Sequence, residues 1–350
     1  METKIFFDTY SFRSNCKRML NKFNFIPILR SSNFGISYHK VIDALGINRS
    51  YLVDGFKIAE YLRKKGCESK IILTEKYIEE ENLKLMNKYK IDLIVDSYSV
   101  LNKFIIINQQ LDLSGVKIYL KLKDNFSQSG FDIDNIDSLI KMIRNNGYFD
   151  KINFVFDFFN LSDHGNIYNI NTERFKIISK KISNLKGDFY IMNDYAFFEF
   201  CKEGIMVDYS DMYGLCGNIN YKNVITFKSF LGRIREFSFF GKRIRVGLVD
   251  IGFKSGYLRN SKSNVPILIN GMKVKVIGTI KSNYILINLN DFDNLEIGNE
   301  VIFWGQAFNG KVLSIHEVST YATNTMRKMV DISFKSIPKQ IEFTDLKIIS

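Results

Sequence analysis

Six ionisable side chains stand at or just beyond the ends of short apolar runs, and residues of these types can carry out acid–base chemistry. The six are Arg30, Asp54, Asp96, Lys121, Asp157 and Asp194. Carboxylates and cations that lie close together shift one another's pKa values, which allows them to accept and donate protons near neutral pH. They would form one site only if the apolar runs end at the same edge of one sheet, so the elements that position them must be found first.

Eight apolar runs in the first two-thirds of the chain have the length and composition of strands that are buried on both faces. They are 25–31 (FIPILRS), 50–55 (SYLVDG), 70–75 (KIILTE), 92–97 (DLIVDS), 117–123 (KIYLKLK), 151–159 (KINFVFDFF), 187–194 (GDFYIMND) and 204–211 (GIMVDYSD). Helical patterns lie between them. Two of these patterns end at Gly46 and Gly66, which is typical of a helix C-terminus.

This alternation predicts an α/β fold, a (β/α)8 TIM barrel, whose ligand site lies where the strands end. Thr74, Lys123 and Asp208 also stand near strand ends, although alternation along a strand could direct some of these side chains outward. A doubly wound parallel sheet would give a similar alternation. It usually has fewer strands, however, and no GxGxxG sequence follows the first run.

The pattern changes after residue 225, where short alternating runs and tight turns replace the helical segments. The pair Asn270-Gly271 lies between two such runs and predicts a β-hairpin. We therefore expect two domains, a TIM barrel over 1–225 and an all-β domain over 226–350.

Composition restricts the class of protein. Hydrophobic residues make up 46% and charged residues 25% of the chain, as in ordinary globular proteins. The cysteines and histidines are widely spaced, so we expect neither a metal site nor a disulfide framework. No signal sequence and no long apolar segment is found, which predicts a cytoplasmic protein without a membrane partner.

Positive charge is concentrated in the second region. The formal net charge is +12, and residues 226–262 hold nine basic and two acidic residues. Such a cluster can bind nucleic acid. No long basic run and no nucleic-acid motif occurs, however, and a lysine-rich composition accounts for an excess of this kind. Nucleic-acid binding is therefore disfavoured from the sequence.

Several stretches, in order along the chain, resemble the alanine racemase family. The C-terminal part has GFKSGYLR at 252–259, INGMKVKVIGTI at 269–280 and IGNEVIFWG at 297–305, whose turn glycines fall in step with those of the family. In the N-terminal part, KLKDNFSQSGF at 121–131 is similar to the family's fifth-strand motif, and MYGL at 212–215 is similar to the motif after strand eight. The resemblance runs through almost the whole chain.

This resemblance implies a fold, a cofactor and an assembly. Alanine racemases join a TIM barrel to a β domain and bind pyridoxal phosphate (PLP) at the barrel mouth. A lysine after the first barrel strand forms an imine with PLP and serves as one base, and a tyrosine from the β domain of the partner subunit serves as the other. Two bases are needed because the α-proton leaves one face of a planar carbanion and returns to the opposite face.

The chain departs from the family at the positions that carry this chemistry. Arg30 takes the position of the imine-forming lysine, Val207 takes that of the arginine beside the pyridine nitrogen, and the tyrosine-bearing loop is shortened away within 228–252. Asp194 replaces a serine that contacts phosphate in the family, which would place a carboxylate against an anion. The further departures are Phe34, Gln128, Phe158 and Tyr209.

These departures predict an alanine racemase-like protein that has lost PLP-dependent racemisation and has a binding, regulatory or partner-interaction role. We expect no catalytic residue and no bound PLP, and the sequence assigns no cofactor-binding residue. The candidate ligand-pocket residues are Arg30, Phe34, Lys121, Asn193, Asp194, Tyr209 and Tyr213. The alternative is an enzyme that still acts on an amino acid or a related small molecule at the mouth. The expected partners are a second copy or an active relative, and a small anionic or amino-acid ligand.

Overall fold

The apolar runs form strands and the amphipathic segments form helices in a computed structural model of the chain. It describes residues 3–22, 25–31, 36–75, 78–123, 129–145, 153–157, 173, 176, 180, 187–192, 205–208, 221–259, 264–322, 326–337 and 341–344. The described strands are β1 (Lys4–Asp8), β2 (Phe25–Leu29), β3 (Tyr51–Val53), β4 (Ile71–Thr74), β5 (Asp92–Val95), β6 (Ile118–Lys123), β7 (Phe131–Asp132), β8 (Asn153–Asp157), β9 (Phe189–Met192), β10 (Ile205–Asp208), β11 (Ile225–Phe239), β12 (Lys242–Val249), β13 (Pro266–Ile269), β14 (Met272–Ile277), β15 (Ile285–Asn288), β16 (Glu300–Gln306), β17 (Val312–Leu313) and β18 (Ile341–Thr344). The described α-helices are α1 (Thr9–Lys22), α2 (Tyr38–Leu45), α3 (Phe56–Lys64), α4 (Glu80–Tyr89), α5 (Tyr98–Gln110), α6 (Ile136–Asn145), α7 (Ile315–Ser319) and α8 (Met326–Ser336).

Eight of the described strands pair in parallel and close into a barrel. Their order is β2-β3-β4-β5-β6-β8-β9-β10, and β10 pairs back onto β2. The short strand β7 lies beside β6. Each barrel strand falls within one of the eight predicted runs, which confirms the α/β barrel expected from the sequence.

Alternate residues of the barrel strands fill the interior. The buried cluster takes one or two side chains from each barrel strand, namely Ile26, Ile28, Leu52, Ile72, Ile94, Tyr119, Val155, Tyr190, Met192 and Met206. A closed barrel of eight strands is filled by layers of such side chains. These apolar layers support the polar residues at the strand ends.

Two helices end at glycines, as predicted. Gly46 follows α2 and Gly66 lies two residues after α3, and their φ values of 92° and 90° are left-handed, a conformation that residues with a Cβ atom adopt at a cost. The chain then turns back to enter β3 and β4. Across the described helices, none is long and apolar enough to span a membrane.

The strands outside the barrel form a second, mostly antiparallel sheet in the order β17-β16-β13-β14-β15-β12-β11-β1-β18. Strands β13 and β14 form the hairpin predicted at Asn270-Gly271, and φ values of 47° and 76° at these residues fit a type I′ turn. The prediction of an all-β region omits α7 and α8. Helix α8 buries Met329, Val330 and Phe334, which lie on one face at helical spacing.

Contacts divide the chain into two compact units. One comprises Met1–Arg18, Ser32–Ser37 and Ser210–Ser350, and the other comprises Met19–Ser31 and Tyr38–Tyr209. Strand β1 belongs with the second sheet because it pairs with β11 on one side and β18 on the other. The domain boundary near residue 225 stays a prediction.

Two polar side chains attach α1 to the unit that holds β1. Asp8 Oδ1 accepts hydrogen bonds from the backbone N–H groups of Tyr10 and Ser11, at 3.0 and 3.1 Å, and so caps the start of the helix. Asn15 makes two hydrogen bonds of 2.8 Å with the backbone of Lys222, one as donor and one as acceptor. The start of α1 is thereby joined to the segment that leads into β11.

Candidate functional site

The charged residues that the sequence analysis singled out lie at the carboxyl edge of the barrel. Arg30 directly follows β2, Asp54 follows β3 and Asp96 follows β5, whereas Lys121 lies within β6 and Asp157 ends β8. Each stands two residues after a member of the buried cluster, so strand alternation directs it to the same side of its strand as that member. The structure therefore brings these five residues to one edge of the sheet.

Lys121 and Asp157 form an ion pair across neighbouring strands. Lys121 Nζ lies 2.7 Å from Asp157 Oδ2, and it also donates a hydrogen bond to Ser129 Oγ at 3.1 Å. The two side chains are 15% and 21% exposed, so water screens their attraction only in part. Removing one partner would leave the other as a poorly solvated charge. Two partners thus engage the lysine ammonium.

Asp54 connects the ends of β2 and β3. Its Oδ1 accepts a hydrogen bond of 2.7 Å from the backbone N–H of Ser31, and its own N–H donates to Leu29 O at 3.2 Å. These bonds fix the backbone on both sides of Arg30, whose side chain is exposed. An exposed guanidinium on a fixed backbone is suited to the recognition of an anion.

The remaining candidates fall on parts of the chain that lie outside the described residues. They are Phe34, Asn193, Asp194, Tyr209 and Tyr213, together with Gln128 and Phe158. Val207 and Asp208 end β10, and only their backbone is described. Within the described ranges, no group of three His, Cys, Asp or Glu side chains could hold a metal ion.

The connection between β11 and β12 is a tight turn. Only Phe240 and Gly241 separate the two strands, and their φ values of 47° and 72° are left-handed. The strands are therefore joined without a loop, and the loss of the family's tyrosine-bearing loop stays a prediction from the resemblance. Tyr257, nearby in sequence, is 2% exposed and packs against Phe303 with ring centroids 4.8 Å apart. Burial raises the pKa of the Tyr257 hydroxyl, so this group is not poised to accept a proton.

A second polar cluster, which the sequence analysis missed, lies at the amino edge of the barrel. Lys70, just before β4, donates hydrogen bonds to Asp188 Oδ2 at 2.7 Å and to Tyr190 Oη at 3.0 Å. Its Nζ also lies 5.2 and 5.6 Å from the ring centroids of Tyr190 and Tyr119, within cation–π range. Burial alone would lower the Lys70 pKa, but the bonds to Asp188 and Tyr190 outweigh it, and the pKa is raised. The sequence signal for this cluster was that Lys70 and Asp188 each stand at the start of an apolar run.

Asp92 and Tyr119 belong to the same amino edge. Asp92, the first residue of β5, is 8% exposed and accepts a hydrogen bond of 3.1 Å from the backbone N–H of Lys117. Burial raises the pKa of Asp92 to about 6, although the Lys117 bond and the charges of Lys70 and Arg63 oppose this shift. Burial likewise raises the pKa of the Tyr119 hydroxyl. In TIM barrels this edge serves stability, and active sites occupy the opposite edge.

A closed parallel barrel with charged residues at its carboxyl edge, combined with a second sheet, defines a two-unit barrel protein. Residues 8–192 match the family model of the alanine racemase N-terminal domain, and residues 238–339 match that of the alanine racemase C-terminal domain. The first match alone covers more than half of the chain. The chain therefore belongs to the alanine racemase family.

Curated relatives are similar over most of their length. The alanine racemase of Wigglesworthia glossinidia brevipalpis is 24% identical over 338 residues, which cover 90% of this chain and 91% of that protein. The catabolic alanine racemase of Schizosaccharomyces pombe is 23% identical over 315 residues, which cover 78% of this chain and 79% of the relative.

Solved alanine racemase structures share the fold at low identity. The biosynthetic enzyme from Pseudomonas aeruginosa has a TM-score of 0.78 at 17% identity, and the enzyme from Acinetobacter baumannii has 0.80 at 16%. The alanine racemase from Bartonella henselae, which holds covalently bound PLP, has 0.76 at 17%. Each comparison covers 98% of this chain and 99% of the other. These likenesses establish the fold.

Proposed function

We propose that this chain is an alanine racemase-like protein that does not racemise through PLP, and that it binds a small anionic or amino-acid ligand at the barrel mouth. The observation that carries the proposal is the position of Arg30. It follows the first barrel strand with its side chain exposed, and Asp54 fixes the backbone beside it. By the sequence resemblance, this is the position of the family's imine-forming lysine.

Arginine does not fit a covalently held PLP. An imine forms when a neutral primary amine attacks an aldehyde and water leaves, whereas a guanidinium stays protonated and offers no such amine. Two other lysines, Lys121 and Lys123, lie at the same edge. Carboxylates pair with both, Asp157 at 2.7 Å and Asp132 at 3.7 Å. Among the described residues of this edge, we therefore assign no amine to such a bond.

The connection between β11 and β12 supports the same proposal. Racemisation through a planar carbanion uses bases on both faces, and the family carries the second base on a loop in this region. Here a turn of Phe240 and Gly241 joins the strands directly. The nearby Tyr257 is buried. This turn supports the proposal that the second base has been lost together with the first.

A guanidinium at the mouth suits a ligand with a carboxylate or phosphate group. Its N–H groups form a planar fork that can bind two oxygens of one anion. Asp96, at the same edge, would complement an ammonium group, so an amino acid is a fitting zwitterionic ligand. We also propose, from the family resemblance, that two copies form a dimer or that one copy pairs with an active relative, and that the protein is cytoplasmic.

Incubation with PLP, followed by borohydride reduction and peptide mass spectrometry, tests the loss of the chemistry. We expect no saturable PLP adduct on any lysine of the folded chain, and no exchange of the α-proton of alanine in deuterated water. A stoichiometric adduct accompanied by α-proton exchange would overturn the proposal. The circular dichroism spectrum establishes that the sample is folded.

Ligand binding at the mouth is tested by thermal unfolding with alanine, and separately with inorganic phosphate. A ligand at one hundred times its Kd stabilises the folded state by about 2.7 kcal/mol. We expect such stabilisation of the native chain by at least one of the two, and its loss in Arg30→Gln. The matched control is Arg13→Gln, which removes an exposed arginine from α1. Equal stabilisation of both variants would exclude Arg30 as a binding residue.

A further inference from the structure

The hairpin of β11 and β12 carries a surface that the proposed barrel-mouth function does not use. We define the hairpin face as the outward side chains of β11, β12, β15 and β14, together with the turn residue Phe240. These four strands are neighbours in the second sheet. The face includes Arg233, Arg235 and Phe237 on β11 and Lys242 on β12, all of them exposed.

Between these residues, the centre of the hairpin face is apolar. Ile244, Val246 and Leu248 alternate along β12 and are half-buried, and Leu286 of β15 lies opposite Leu248. On β14, Lys275 is exposed on the same side as Ile277, which pairs with Leu286. The face is therefore an apolar and aromatic sheet surface with cations along it.

On the opposite side of the hairpin, its acidic residue forms ion pairs with two other arginines. Arg243 Nη2 lies 2.8 Å from Glu236 Oε2, and Arg245 Nε lies 3.0 Å from Glu236 Oε1. Arg245 is 9% exposed and also donates to Leu295 O at 2.8 Å. These contacts account for Arg243 and Arg245. They leave the outward ones, Arg233 and Arg235, without a structural explanation of this kind.

The arginines of the hairpin depart from the composition of the chain. The chain has 49 basic residues, of which 13 are arginine and 36 are lysine. Residues 233–245 hold four arginines and one lysine, the reverse of the overall ratio. A general preference for lysine therefore does not explain the charge here. Arginine binds phosphate oxygens in a planar fork and stacks on bases, which lysine does not do.

Phe240 occupies a backbone conformation that does not suit it. Its φ of 47° is left-handed, and such turns favour asparagine, aspartate or glycine at this position. Its side chain is nevertheless 91% exposed. A large apolar residue that is strained and exposed breaks two local rules at once, and such positions are expected at functional sites. Together with Phe237, which is 49% exposed, it places two rings on the hairpin.

Among the described residues, no carboxylate forms an ion pair with Arg233, Arg235, Lys242 or Lys275. Glu236, the acid of the hairpin, pairs with Arg243 and Arg245 on the other side, and Asp250 stands beside Gly232 at the base of the hairpin, where β11 has its bulge. The hairpin face is thus positively charged along its length. A direct contact between the hairpin faces of two copies would oppose like charges.

We infer that the hairpin face binds single-stranded nucleic acid. Its cations would contact successive phosphates, and the rings of Phe237 and Phe240 would stack on bases. The aromatic and apolar groups extend along the sheet face and are not confined to the turn, which suits a chain lying along the strands better than insertion into a lipid surface. The sequence disfavoured nucleic acid because no motif was present, and the inference comes from the geometry of the hairpin.

Fluorescence anisotropy of a labelled oligothymidylate of about 12 nucleotides tests the inference with the full chain. We expect binding at about 50 mM salt, and a fall in the logarithm of affinity with the logarithm of salt concentration with a slope of about −3 for four phosphate contacts. Arg233→Gln with Arg235→Gln should make the slope shallower by about 1.4. Phe240→Ser should weaken binding about 5- to 100-fold and leave the slope unchanged.

The matched control is Lys103→Gln with Arg144→Gln, which removes two exposed charges from α5 and α6 of the barrel. It should bind as the native chain does. Absence of binding at low salt, or an equal loss in the control, would overturn the inference. So would binding to phosphatidylserine vesicles alone, or a change in sedimentation of Phe240→Ser without any oligonucleotide binding, because the face would then serve a lipid surface or a second copy. Circular dichroism confirms that each variant is folded.

Discussion

The two edges of the barrel hold similar side chains but use them differently. At the amino edge, hydrogen bonds to Asp188 and Tyr190 and the rings of two tyrosines surround the Lys70 ammonium. At the carboxyl edge, the Arg30 side chain is exposed, and Asp54 fixes the backbone beside it. Bonds made inside the fold stabilise that fold, and the exposure of a cationic side chain allows it to reach a ligand. Under the proposed function, this difference separates a cation that stabilises the barrel from one that would bind a ligand.

Arg63 extends the contrast at the amino edge. It donates hydrogen bonds to four backbone oxygens, at 2.5 Å to Cys67, 2.7 Å to Ser69, and 2.8 Å to both Tyr89 and Lys90. These oxygens belong to the segments that lead into β4 and β5. One guanidinium therefore joins two neighbouring entries to the barrel.

The largest effect on stability is expected from Arg63→Ala. The substitution leaves four carbonyl groups without their donor, and we expect the free energy of unfolding to fall by about 3–5 kcal/mol. Urea unfolding followed by circular dichroism measures it. Arg63→Lys should recover only part of the loss, because an ammonium cannot reach all four oxygens. A loss below about 1 kcal/mol in Arg63→Ala would contradict the role assigned to the amino edge.

Asp92 should make stability depend on pH. Its pKa is raised from 3.8 to about 6 on folding. Between these values the folded state holds a proton that the unfolded state has released, so stability falls as pH rises from about 4 to about 6. Asp92→Asn retains an acceptor for the Lys117 N–H, so we expect it to exceed the native chain by about 1–3 kcal/mol at pH 7 and to match it near pH 4. If the variant and the native chain differed in unfolding free energy by the same amount at both pH values, the effect would be excluded.

A smaller effect is expected from Lys70→Met. Asp188 is 47% exposed, so water compensates part of the lost ion pair, and we expect a loss of about 1–2 kcal/mol. Because folding raises the Lys70 pKa, the stabilisation should be complete at neutral pH and decline above about pH 10.4, where the unfolded lysine releases its proton. A double-mutant cycle with Asp188→Asn measures the coupling. Strict additivity of the two substitutions would show that the pair contributes nothing.

The smallest effect on stability is expected at the mouth. Arg30→Ala removes an exposed side chain, so the free energy of unfolding should change by less than about 0.5 kcal/mol. The same variant should lose the stabilisation that the native chain gains from its anionic ligand. Urea unfolding with and without that ligand separates the two effects. A large loss of stability without ligand would place Arg30 with the residues that hold the barrel.

The sequence predicted the barrel because its signals are local. Each of the eight apolar runs contains one barrel strand, and the pair Asn270-Gly271 forms the turn that its sequence favours. Arg30 and Asp54 could be placed at the mouth because parallel strands end at one edge and side chains alternate along them. Periodicity and turn chemistry were sufficient for these features.

The contacts of the amino edge could not be predicted in the same way. Lys70 and Asp188 are 118 residues apart, and nothing in the sequence around either one indicates the other. The four bonds of Arg63 depend on where two loops pass beside α3. The hairpin face could be predicted only in part. The basic residues could be counted from the sequence, but which of them point outward depends on the register of β11 and β12.

The placement of β1 has a consequence for how the chain is made. Phe7 lies opposite Ile225, and β18 flanks the other side of the same strand. The ribosome releases every barrel strand, through Asp208, before it has synthesised either partner of β1. The barrel can therefore close during translation, while β1 must keep both of its edges unpaired until about two hundred further residues have emerged. A cut at residue 225 would separate β1 from both neighbours, so the segments before and after this residue are not independent folding units.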